Sequence, residues 1–144
     1  MPMSMTRPAI QTVRSAIFPR STALTHALFI VGGVLFLSAL AQISIPVPGS
    51  PVPVTGQTLG VFLIATTYGA RLATGTFATY LLAAIAGAPL FAPSATLPSY
   101  GWARITSATG GYLIGMLVAT AVIGYLAERK ADQKFRTSFP MLIL

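Results

Sequence analysis

From Leu24 to Ile45 the chain runs 22 residues with no formal charge, His26 aside. At 1.5 Å per residue, a helix of that length crosses a hydrocarbon core about 30 Å thick. In lipid, every backbone N–H and C=O must find its partner within the protein, so such a run restricts the fold severely. Three further apolar runs follow, at Thr58–Ala70, Leu72–Leu90 and Thr109–Ala127, and another begins at Phe139–Leu144. Only 8% of the 144 residues are charged, against about 25% in an ordinary soluble domain. These features predict an all-α membrane protein, a compact multi-pass transmembrane helix bundle of four spans plus the start of a fifth. Residues 1–22 read as a basic N-terminal tail and 23–144 as the transmembrane domain. Ala39-Leu40-Ala41 ahead of Gln42 has the form of a signal-peptide cleavage site, but the sequence beyond it is again membrane-grade, so the run is read as a span.

The runs are interrupted first at Ile45–Gln57, I-P-V-P-G-S-P-V-P-V-T-G-Q, which holds four prolines, two glycines and no charge. Proline fixes φ and lacks an N–H, so Pro46, Pro48, Pro51 and Pro53 exclude a helix interior and favour extended or turn backbone. A second loop-like stretch, 91–108, contains Pro93, Pro98, Tyr100, Gly101, Trp102 and one charge, Arg104.

Basic residues orient the bundle. With the tail in the cytoplasm, Arg7, Arg14, Arg20, Arg71, Arg129, Lys130, Lys134 and Arg136 lie inside and Arg104 alone lies outside, as the positive-inside rule requires. Both proline-containing loops then face outward, where a lid over an external site would be. The net charge of +7 is scattered among apolar runs and forms no basic face with interleaved aromatics, so no nucleic-acid partner is expected.

Catalysis has little to work with. There is no phosphate-cradling G-x-x-x-x-G-K-[ST] string and no cysteine; one histidine and two acidic residues complete the set. The spans hold no ionisable group apart from His26, at a membrane edge, which argues against an enzyme and against a proton relay. Arg104 is the most informative charge. Its guanidinium could grip a carboxylate with paired hydrogen bonds, with Tyr100 and Trp102 walling an apolar pocket, or it could snorkel to lipid headgroups beside aromatic-belt residues. Thr55, Gln57 and Thr58 stand where the proline loop meets the second run and could bind a solute or cap a helix. The Tyr80 hydroxyl, mid-run, needs a partner when buried. Small-residue pairs four apart (Gly56/Gly60, Ala65/Gly69, Ala83/Gly87, Gly111/Gly115) suit closely packed helices.

Four stretches in this order resemble the BioY family: A-Q-I-S-I-P at 41–46, P-V-P-V-T-G-Q-T-L-G at 51–60, Y-L-L-A-A-I-A-G-A-P-L-F at 80–91 and A-T-G-G-Y-L-I-G at 108–115. The BioY family comprises the biotin-specific substrate-capture (S) components of energy-coupling-factor transporters. The resemblance implies a six-helix bundle in the plasma membrane, binding biotin near its outer face without a cofactor. Its implied partners are a transmembrane coupling subunit and ATPase subunits. It makes Pro46, Pro48, Pro51 and Pro53 a gating loop, and Arg104, Thr55, Gln57, Tyr80, Phe91 and Tyr112 the substrate-binding set, with Arg104 facing the biotin carboxylate. Ala23 and Ala27 stand where the family docks through small residues on its first helix. Ser107-Ala108 replaces the family's Gly-Pro before Thr109-Gly110-Gly111-Tyr112. The family continues through further helices that bear an acidic and a basic residue for the ureido ring, so this chain is expected to be truncated and to bind biotin weakly or not at all. The rival readings are a component for another small solute and a structural membrane protein without ligand.

Overall fold

The break imposed by the prolines takes the form of a two-stranded ribbon. The computed structural model describes residues 22–50, 52–94 and 98–129. Arg7, Arg14, Arg20, Pro51, the charged residues from Lys130 onward and Phe139–Leu144 lie outside them. Helix α1 (Ala23–Gln42) starts at Thr22, whose hydroxyl accepts from the Thr25 N–H. It stops three residues short of the predicted run, because Ser44 and Ile45 form strand β1, antiparallel to β2 (Val54–Thr55). Ser44 faces Thr55 and Ile45 faces Val54, and the Gly56 N–H extends the ladder to the Ile43 carbonyl at 2.9 Å. Pro46 pushes the residue before it out of the helical region, and Gly49, at φ 83°, lets the chain turn back.

Helices α2 (Gln57–Tyr68) and α3 (Ala70–Ile85) follow, then the single turn α4 (Trp102–Ile105) and α5 (Gly110–Glu128). Each of the four apolar runs among the described residues is thus a helix, but the lengths differ. α1 and α5, of 20 and 19 residues, are long and apolar enough to cross a membrane, and α3 is a shorter apolar helix. α2 has 12 residues, which is about 18 Å of helix. The boundary between α2 and α3 falls at Gly69, at φ 81°, rather than at Arg71; the conformation that ends a helix belongs to glycine, whereas charge marks only where water begins.

α3 packs against α5 and α1, and α2 against α5 and α1. The shared core contains Leu37, Ile64, Phe77, Tyr80, Phe91, Leu113, Met116 and Ile123. Close approach depends on glycines the pairing rule singled out only in part. A Cβ on Gly60 would meet the Leu40 side chain at 2.8 Å, one on Gly33 would meet Thr76 at 2.6 Å, and one on Gly124 would meet the Ala70 Cα at 2.6 Å. Gly111 and Gly115, expected to pack, have open space around them. Buried hydroxyls return to the carbonyl one turn back, Thr76 to Leu72 at 2.8 Å and Thr120 to Met116 at 2.7 Å, which satisfies them inside their own helix. Along α1, Leu24, Leu28, Val31 and Leu35 are exposed at helical spacing, an apolar face suited to lipid.

Candidate ligand-binding site

Where the ribbon meets the ends of the helices lies a small cavity. Val52, Pro53 and Thr55 contribute from the ribbon side, Gln57 from the first turn of α2, and Phe91 and Ala92 from the segment after α3. Arg104, Thr109, Tyr112 and Leu113 complete the lining. The cavity is partly open, and its volume is about 20 Å³, room for roughly one water.

Arg104 is 3% exposed, so it does not snorkel. The α4 turn is tied to the end of α3 by the Gly101 N–H, which donates to the Ala84 carbonyl at 2.7 Å. The Arg104 carbonyl accepts the hydroxyls of Ser107 at 2.7 Å and Thr109 at 3.1 Å. At the other end, Nη2 donates to the Ala92 carbonyl at 2.8 Å. Nη1 is buried with no hydrogen-bond partner. Burial lowers the pKa of the guanidinium from the ordinary arginine value, and the neighbouring Tyr80 opposes the shift. A buried cation with an unused N–H is poorly compensated, and an anion placed against it would relieve that cost.

Two more buried polar atoms of the lining, Thr55 Oγ1 and Gln57 Nε2, also have no partner. Phe91 is buried and meets Tyr80 edge to face, with ring centroids 5.8 Å apart. Tyr112 stands at the rim, its hydroxyl 2.7 Å from that of Thr58. The other predicted residues lie elsewhere. Tyr80 is fully buried behind Phe91 and donates to the Leu90 carbonyl at 3.0 Å, and it is not part of the lining. Of the gating prolines, Pro53 touches the cavity while Pro46 and Pro48 are exposed away from it. Tyr100 and Trp102 wall nothing: they are 49% and 62% exposed, turned outward by the α4 turn that carries Arg104 inward. Ala23 and Ala27 are exposed on α1.

Sequence reasoning passed over Val52, Ala92, Thr109 and Leu113. Thr109 lies within the A-T-G-G-Y-L-I-G stretch and has a hydroxyl to place. Ala92 contributes only a main-chain carbonyl, which no side chain announces.

The fold and site together define a helical bundle, with two helices apolar enough to cross a membrane and a small cavity lined by buried polar groups. A profile of the BioY family matches residues 10–144, and the chain belongs to that family. It is 42% identical over 90 residues to the biotin transporter BioY of Thermotoga maritima, covering 62% of this chain and 50% of that one. With the biotin transporter BioY of Rhizobium etli it shares 33% identity over 108 residues, 75% of this chain and 52% of the other. The chain therefore spans about half the length of these relatives. The crystal structure of the S-component for biotin from an ECF-type ABC transporter superposes with a TM-score of 0.72 at 22% identity, covering 86% of this chain and 68% of that one. At that identity the likeness establishes the fold.

Proposed function

We propose that this protein captures biotin at the outer face of a bacterial plasma membrane, as the substrate-binding component of an ATP-driven energy-coupling-factor transporter. The observation that carries this reading is that three residues lining one cavity, Arg104, Gln57 and Thr55, each have a buried polar atom without a hydrogen-bond partner, Nη1, Nε2 and Oγ1. Arg104 supplies the charge for the solute's carboxylate, Gln57 and Thr55 add hydrogen bonds, and Phe91 and Leu113 cover its aliphatic chain. The ribbon bearing Pro53 acts as the lid, and Tyr112 forms part of its rim. Energy comes from a coupling subunit and ATPases docked elsewhere on the bundle; the chain performs no chemistry on its solute and uses no cofactor. Four spans with the N-terminus inside place the cavity outward, a topology supported by the distribution of basic residues.

Among the described residues the only carboxylate is Glu128, the last residue of α5, whereas the cavity lies at the beginning of that helix. Equilibrium dialysis of labelled biotin against the purified chain in detergent tests the reading, with biotin methyl ester and lipoate as competitors. Saturable binding, displaced best by biotin and at least about tenfold less well by the ester, is the expected result. Equal displacement by lipoate would instead favour a component for another acidic solute, and no saturable binding would overturn both.

A further inference from the structure

Three successive carbonyls between Leu90 and Ala92 are each held by a side chain from a different element. The Tyr80 hydroxyl on α3 donates to the Leu90 carbonyl at 3.0 Å. Gln42 Nε2, on the last residue of α1 and 49 positions away in sequence, donates to the Phe91 carbonyl at 3.3 Å. Arg104 Nη2 donates to the Ala92 carbonyl at 2.8 Å. The Phe91 N–H is also engaged, donating to the Ser99 carbonyl at 2.9 Å. This segment belongs to no helix or strand, so no ladder sets the direction of its carbonyls, and the side chains do.

The peptide linking Phe91 to Ala92 is planar. Fixing the Phe91 carbonyl therefore fixes the Ala92 N–H and Cα, so only the two torsions of Ala92 itself separate the carbonyl held by Gln42 from the one held by Arg104. That carbonyl holds one nitrogen of the guanidinium. Because the guanidinium is itself planar and rigid, holding Nη2 decides where the unpartnered Nη1 points.

We propose that Gln42 is a positioning residue for solute recognition: through the Phe91 and Ala92 carbonyls it aims Arg104 Nη1 into the cavity. The inference rests on reading that cavity as a carboxylate site. Gln42 itself touches no solute, since it is absent from the lining. Its contribution is to specificity for a negatively charged end over a neutral one.

The experiment measures biotin and biotin methyl ester affinities for the full chain and for Gln42→Leu, which keeps the bulk and removes the donor. The wild-type preference for biotin is expected to fall at least about fivefold in Gln42→Leu while ester affinity stays within about twofold, since only the charge-assisted bond is disturbed. An unchanged preference, or an equal loss for both ligands in a protein with unaltered thermal midpoint, overturns the inference and leaves the carboxylate reading standing. A wild-type chain with no preference overturns both. Should Gln42→Leu lower the thermal midpoint, Gln42→Lys restores an N–H donor of similar reach. Recovery of the preference then supports the positioning role, and its absence overturns it.

Discussion

Arg104 and Ala92 are joined by a buried 2.8 Å hydrogen bond from Nη2 to the main-chain carbonyl, while Arg104 Nη1, on a residue that lines the cavity, is buried without a hydrogen-bond partner. One half of the guanidinium is thus a structural tie, and the other half has no hydrogen-bond partner. A lone arginine within 91–108 was visible in the sequence, but the different settings of its two terminal nitrogens emerge only from the fold.

Release of solute should depend on the rim contact between Thr58 and Tyr112, whose hydroxyls lie 2.7 Å apart and link α2 to α5. Thr58→Val or Tyr112→Phe is expected to speed biotin release by about two- to tenfold, the equivalent of one hydrogen bond. Adding the second substitution to the first should change little more, because both delete the same bond. Stopped-flow dissociation of a fluorescent biotin checks this.

The inner corner of the bundle should tolerate no added methyl group. A Cβ on Gly124 would stand 2.6 Å from the Ala70 Cα and 2.7 Å from its nitrogen, and backbone cannot step aside as a flexible side chain can. Gly124→Ala is expected to destabilise the bundle by about 1–3 kcal/mol. Gly115→Ala, which meets nothing within 4 Å, should leave the thermal midpoint in detergent unchanged or raise it, because alanine is the better helix former.

Glu128 closes the same corner from the other side. Its Oε1 accepts the Ala70 N–H at 2.9 Å, satisfying one of the free donors at the start of α3. Glu128→Ala should cost about 0.5–2 kcal/mol, the range for a lost helix cap. Glu128→Gln keeps an acceptor and should cost less, an order that thermal unfolding of the two variants would establish.

The parts of this structure legible in the sequence are those that a residue's own chemistry imposes. Pro46, Pro48 and Pro53 forbid helix wherever they stand, so an extended interruption after α1 could be read directly. Its pairing, Ser44 with Thr55 and Ile45 with Val54, could not, because two-residue strands carry no alternation. Arg71 suggested a helix boundary two residues from the true one at Gly69, since a charge locates the water interface while a positive φ locates the turn. Tyr100 and Trp102 could be read from proximity in sequence as pocket walls or as aromatic-belt residues beside Arg104; in the fold both are exposed while Arg104 is buried. Gln42, Ala92 and the Gly124–Ala70 approach were invisible for one shared reason: each contact is made with a backbone atom, which is the same at every residue.

The most direct test of the central claim is the ratio of biotin to biotin methyl ester affinity in Arg104→Ala against the unaltered chain. Losing a hydrogen-bonded charge pair should weaken biotin binding by about 10- to 150-fold, while ester binding changes by less than about threefold. Equal weakening of both ligands would show that Arg104 only holds the Ala92 segment, and retention of biotin affinity would show that the carboxylate is bound elsewhere.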